Sequence, residues 1–144
     1  KGRMPWEYPY EWNKPVQKQR YLTFFNRIGT DPVLKGAVSF EPFSPDIGNW
    51  LRRVGFVLSP SDLESFHLAP AEAMASGAIP IVRNREGSAQ IFGAENVFNS
   101  VEDAAVRILS LRDRSEFQRS SVAVKRYAMG WDIEKVIATW NETL

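Results

Sequence analysis

Between Ser59 and Val82 the chain carries three acids, Asp62, Glu64 and Glu72, and no Lys or Arg. That run is locally acidic in a chain whose Lys plus Arg (18) and Asp plus Glu (17) otherwise balance to a net charge of +1. An ionised carboxylate only accepts hydrogen bonds, so carboxylates gathered beside small residues read as acceptors for the hydroxyl groups of a ligand. Glu72 lies among Ala69, Ala71, Ala73 and Ala75 on an expected helix between two apolar strands. A carboxylate there is expected to need a partner to offset its desolvation. Arg83 and Arg85 stand just past the second of those strands, where a cation can meet an anionic ligand.

These residues need elements to hold them. Gly55-Phe56-Val57-Leu58 reads as a buried strand that runs into the Ser59-Pro60-Ser61 turn, followed by a loop with Asp62 and Glu64. Phe66 to Ser76 reads as a helix with Pro70 in its first turn and Gly77 as its stop. Ala78-Ile79-Pro80-Ile81-Val82 is a further buried strand. A strand, a helix and a strand in succession form the unit of a parallel sheet. In such sheets ligands bind at the carboxyl ends of the strands, and the following helix offers its free amides to an anion. Ser65, Phe66, His67 and Leu68 are expected at that helix start.

Around this unit the periodicity predicts a helix from Lys14 to Ile28, with Val16, Tyr21, Leu22, Phe24, Phe25 and Ile28 at three- and four-residue spacing. A short strand is expected at Ala37 to Phe40, a short helix capped by Asp46 and running through Arg52, and a strand near Asn96 to Phe98. Three helices close the chain, Val101 to Leu111, Ser115 to Met129 and Ile133 to Leu144, the last capped by Asp132 and striped with Ile133, Val136, Ile137 and Trp140. Trp6, Tyr8, Tyr10 and Trp12, in an irregular opening segment, are expected to pack on the first helix. Arg112, Arg114, Arg119, Lys125 and Arg126 read as a solvated helix face.

Composition excludes much. With 144 residues, 44% hydrophobic and 24% charged, one folded domain with one core is expected and no linker is evident. The charge balance argues against a nucleic-acid ligand. There is no cysteine and one histidine, His67, so thiolate chemistry, disulfides and a histidine metal cluster are set aside. No apolar run reaches the roughly 20 residues of a membrane span, and the charged, aromatic start is unlike a signal peptide. Cytoplasmic residence is expected.

The stretch Glu64-Ser65-Phe66-His67-Leu68-Ala69-Pro70-Ala71-Glu72-Ala73-Met74-Ala75-Ser76-Gly77-Ala78-Ile79-Pro80-Ile81-Val82 resembles the signature of retaining glycosyltransferases of the GT-B fold, group one (family four). The signature has two glutamates with seven residues between them, then Ala-Met-Ala, a small residue, Gly and a Pro-containing strand. The Leu-Ser-Pro-Ser turn before it and the Glu86-Gly87 loop after it agree. The resemblance implies a Rossmann-like, doubly wound parallel sheet with helices on both faces, the C-terminal donor-binding domain of such an enzyme, incomplete at its start. It implies a first helix and first strand that are missing, with Lys1-Gly2-Arg3 as the tail of the second strand, and a missing N-terminal domain as partner.

By the same resemblance Glu64 contacts the hydroxyls of the transferred sugar, and Glu72 accepts from the ribose of a nucleoside-diphosphate-sugar donor. The amides of Phe66, His67 and Leu68 face the diphosphate, and no metal or cofactor is implied. The family has glycine where Ser65 and His67 stand, which leaves their roles open. Arg83 and Arg85 would substitute for cations of the missing segments. Peripheral membrane association of the parent enzyme and its oligomeric state stay open. Taken singly, Glu64 reads as a solvated loop acid and Glu72 as a surface helix residue, so the pair and its flanks carry the reading. The alternatives are a non-catalytic binding or assembly module of the same fold, or another nucleotide-sugar enzyme such as an epimerase.

Overall fold

The computed structural model describes residues 2–143, which divide into two compact units, Lys1–Pro45 and Asp46–Leu144. The expectation of a single core without a boundary therefore gives way to two units.

In the first unit a 3-10 turn at Pro5–Glu7 precedes α1 (Pro9–Trp12) and α2 (Pro15–Thr30). All three start on a proline, whose missing amide and fixed φ suit a first helical position. The predicted first helix thus forms, two residues longer at its end. Aromatic rings tie the unit together: Trp6 meets Trp12 and Phe25 at centroid distances of 6.0 and 5.4 Å, and Phe25 meets Phe40 at 5.1 Å. None of the unit's described residues is buried. Trp6 does pack on α2 while staying half exposed, but Tyr10 stands in solvent beneath the Lys14 ammonium, 3.9 Å from its ring centroid.

Ala37 to Phe40 does not form a strand. Asp31 Oδ1 accepts from the amides of Val33 and Leu34, rolling residues 31–37 into turns, and Gly36 follows at a φ of +82°. Apolar residues alone do not make a strand; a neighbouring backbone must accept its hydrogen bonds. The extended contact in this region comes two residues later, where Gly2 and Pro42 form an isolated parallel bridge and the Gly2 amide donates to Glu41 O at 3.0 Å. The expected role of Lys1 lies outside the described residues.

The second unit opens with α3 (Ile47–Leu51), then β1 (Phe56–Ser59), α4 (Leu68–Ala75), β2 (Ile79–Arg83), α5 (Ser88–Phe92) and β3 (Val97–Phe98). It closes with α6 (Val101–Ser110), α7 (Arg114–Ala128) and α8 (Ile133–Thr143). The strands form a parallel sheet in the order β1-β2-β3, with Phe56 opposite Ile79, Ser59 opposite Val82, and Val82 opposite Val97. The chain is mixed α/β. Asp46 is the N-cap residue of α3, yet its carboxylate accepts from the Asn49 side chain at 2.8 Å and makes no cap bond to the helix backbone. The α5 helix was not foreseen in the loop after β2.

Gly77 ends α4. It takes a φ of +94°, its amide donates to Met74 O, and the amide of Ala78 donates to Ala73 O, both at 2.9 Å. This crossed pair closes the last carbonyls of the helix and turns the chain directly into β2. Residues α4, α5, α6 and α7 all pack against β2. Met74, Ile79, Ile81, Val82 and Phe92 form the centre of the core and are at most 1% exposed. Each such side chain contributes about 1.5 to 3 kcal/mol by leaving water. Ser100 and Asp103 form a reciprocal cap at the start of α6, each amide donating to the other's side chain at 3.1 Å. Asp132 caps α8 through the Glu134 amide at 3.0 Å, as expected. The apolar stripe of α8 is exposed, and none of its described residues is buried.

Candidate functional site

The carboxyl ends of β1 and β2 carry the residues with chemistry. Ser59, the last residue of β1, is buried, and its Oγ lies 3.4 Å from His67 Nδ1. Arg85, two residues past β2, places Nη2 3.4 Å from the same nitrogen. Glu64 Oε1 lies 3.6 Å from His67 Nε2 on the other side of the ring. Glu64, His67 and Arg85, all singled out in the sequence, thus meet around one imidazole. Ser59 and Phe92 complete the cluster and were not foreseen. The position of Ser59 as last residue of a strand in a Leu-Ser-Pro-Ser turn was the available signal.

Backbone geometry holds the ring in place. His67 precedes α4 in the left-handed region, at φ 65° and ψ 73°, and makes no side-chain cap bond. This is the only residue other than glycine with positive φ among those described. An L side chain in that region costs roughly 1 to 2 kcal/mol relative to glycine, so the strain has to be held by the surroundings. The ring sits edge-on to Phe92 at 6.4 Å, and the Arg85 guanidinium lies over the same Phe92 ring at 5.8 Å. Ser88 fixes the backbone of Arg85 by donating to its carbonyl at 2.8 Å and accepting from its amide at 3.2 Å.

The electrostatics follow from this packing. Burial lowers the pKa of His67 and the Arg85 cation lowers it further, while the Glu64 carboxylate opposes both; the net direction is down. Arg85 Nε and Nη1 are buried and have no hydrogen-bond partner among the described residues. A guanidinium offers five N–H donors, and the three on Nε and Nη1 here remain to be satisfied by something else. Arg83 is differently placed. Its Nε pairs with Asp62 Oδ1 at 2.9 Å, and both side chains are exposed to water.

Several expectations change in detail. α4 begins at Leu68, so Ser65, Phe66 and His67 precede the helix and do not occupy its first turn. The left-handed turn at His67 delays the start. Phe66 packs its ring edge-on against Trp131, at 5.0 Å and 85°. Ser65 is exposed, and Leu68 is two-thirds exposed. Glu72 is exposed as well, so the expectation that it must be partnered against desolvation does not hold. The buried side of α4 is Pro70, Ala71, Ala73 and Met74; Glu72 shares the outer side with Leu68 and Ala69. Because helical side chains lean toward the amino end, the Glu72 carboxylate covers the turn that contains Leu68.

Two roomy cavities lie in the first unit, about 560 and 690 Å³, lined mainly by the side chains of α2 with Met4, Pro5 and Phe40. They gather no carboxylate pair and no histidine. The cluster at the ends of β1 and β2 is the stronger candidate, because it combines perturbed titration, buried unpaired donors and backbone strain at one place. Comparison with protein-family models, with curated proteins and with solved structures finds no match.

Proposed function

We propose that the second unit binds a nucleoside-diphosphate-sugar and is the donor half of a retaining glycosyltransferase, completed by a separate acceptor-binding domain. The observation that carries the reading is the convergence of Glu64, His67 and Arg85 at the carboxyl ends of β1 and β2, beside the start of α4. The parallel order β1-β2-β3 fits strands four, five and six of a doubly wound sheet. The left-handed conformation at His67 is one that glycine adopts freely, which fits a position where the resembling family carries glycine.

In this reading Glu64 accepts from the sugar hydroxyls and stabilises positive character at the anomeric carbon as the bond to phosphate breaks. Glu72 accepts from the two ribose hydroxyls from the outer face of α4. The diphosphate lies over the first amides of α4, Leu68 and Ala69, and takes the free N–H groups on Nε and Nη1 of Arg85. Fixed dipoles and a fixed cation lower the energy of the departing phosphate without reorganising during the reaction. Arg83, held by Asp62 in solvent, has a smaller part.

Titration calorimetry with UDP, GDP and ADP, on the protein and on Glu72→Ala, tests the reading. One of the three nucleotides should bind, and loss of the ribose acceptor should weaken it by about tenfold or more. Binding unchanged in Glu72→Ala, or no binding of any of the three, contradicts the assignment and favours a non-catalytic module of the same fold.

A further inference from the structure

The ring of His67 is held between a group that can only donate and a group that can only accept. Arg85 Nη2 approaches Nδ1 at 3.4 Å, and a guanidinium has no acceptor. Nδ1 must therefore present its lone pair, with the Ser59 hydroxyl at 3.4 Å as a second donor to it. The ring proton of the neutral imidazole is then on Nε2, on the side of Glu64 Oε1, 3.6 Å away. Glu64 stands in the loop before α4 with its side chain 33% exposed, and among the described residues its carboxylate has no other side-chain donor beside it than this N–H. Protonation of His67 would place an N–H on Nδ1 against the Arg85 donor, so the arrangement holds only while the ring is neutral.

We propose that Arg85 and His67 form a positioning relay for Glu64: Arg85 fixes the tautomer of His67, and the Nε2–H so fixed orients the carboxylate that meets the transferred sugar. His67 is a positioning residue in this scheme, and the role of Glu64 rests on the donor-site reading above. The charged groups facing the ring are Glu64 from the loop before α4 and Arg85 from the loop after β2; Ser59 faces it from β1 and Phe92 from α5 without charge. Burial and Arg85 both keep the ring neutral, which agrees with the relay. The Asp62 to Arg83 pair neutralises itself one step further out.

His67 is the chain's one histidine, so its imidazole nitrogens give a single, unambiguous set of signals. Nitrogen-15 NMR of the histidine-labelled protein should show the neutral ring protonated at Nε2 and unprotonated at Nδ1. Arg85→Met should raise the pKa of His67 and mix the tautomers, Arg85→Lys should keep the wild-type tautomer, and Glu64→Gln should lower the pKa. A neutral ring protonated at Nδ1, or a titration indifferent to Arg85→Met in a variant that melts as the wild type does, overturns the relay.

The functional arm compares a nucleoside diphosphate with the same nucleoside-diphosphate-sugar in calorimetry. His67→Phe keeps a flat ring without either nitrogen. It should weaken the sugar-bearing ligand by about tenfold and leave the nucleoside diphosphate within about twofold, with His67→Gln recovering part of the loss through its amide. Equal weakening of both ligands overturns the positioning role. Absence of binding by the wild type, with the predicted tautomer in place, overturns the donor reading and leaves the relay supported as a feature of the fold.

Discussion

Phe92, Met74, Ile79 and Ile81 are at most 1% exposed in the second unit, whereas the first unit has no buried residue among those described. Both units contain apolar and aromatic side chains in quantity. The difference lies in what those side chains meet. In the second unit three parallel strands give four helices a common surface, and each helix buries a face on it. In the first, α2 and the turns around it offer only ring edges to one another. The candidate cluster belongs to the packed unit: Glu64, His67 and Arg85 are held at strand ends beside its core, while two roomy cavities lie along α2. Volume alone does not place a site, since a site needs groups that converge and stay.

The contrast can be broken most sharply by deleting rings. Phe92→Ala empties a fully buried place beneath His67 and Arg85 and should cost about 3 to 5 kcal/mol, read by urea unfolding. Phe25→Ala removes three ring contacts in the first unit and should cost only about 1 to 2 kcal/mol, because the ring is partly solvated already. Equal costs would show that the first unit has a core of its own.

Two glycines sharpen the same comparison. Gly77→Ala meets both a φ of +94° and the Ser121 Oγ, 3.0 Å from an added Cβ, and should destabilise by about 1 to 2 kcal/mol. Ser121 also donates to the Gly77 carbonyl at 2.7 Å, so any shift there loosens α4 against α7. Gly29→Ala in α2 meets nothing within 4 Å and should stabilise by about 0.5 to 1 kcal/mol through the unfolded chain. Thermal melting of the two variants checks both signs.

A smaller effect comes from pH. The folded state holds the pKa of His67 below its unfolded value, so the unfolded chain takes up the proton first as pH falls. Stability contributed by the neutral ring is full above the unfolded value and is lost as pH falls through the folded one. His67→Phe should flatten unfolding free energy over that window. Asp113 adds to the loss at more acid pH. Ser115 through its hydroxyl, then the amides of Glu116 and Ser115, hold its carboxyl below the usual range, and that contribution disappears as pH falls through its folded pKa.

What was legible in the sequence was local. Gly77 after an Ala-rich helix and Asp132 before Ile133 each announce a terminus through backbone chemistry that acts within four residues, whereas the cap of Ser100 with Asp103 was not foreseen. The strand Ile79–Arg83 was legible because a short apolar run between turn residues is buried on both faces. Ala37 to Phe40 has a similar composition but no neighbour to pair with, and composition cannot supply one. Glu72 was read as enclosed because alanines surround it in sequence, yet on a helix its neighbours in space are Leu68 and Ala69, on the solvent side. The left-handed turn at His67 was not legible, since it depends on Phe92 and Arg85 gripping a side chain from distant parts of the chain. Those same grips brought Glu64 and Arg85 to one ring, which spacing along the sequence did not show.

The most direct test of the donor site is a map of amide chemical shifts on titration with UDP, GDP and ADP. The account predicts that the nucleotide that binds moves Ser59, Glu64 through Ala69, Glu72 and Arg85 through Gly87, and leaves Arg3, Arg20 and Phe24 unchanged. Shifts centred on the α2 cavity, with the strand ends silent, would contradict it.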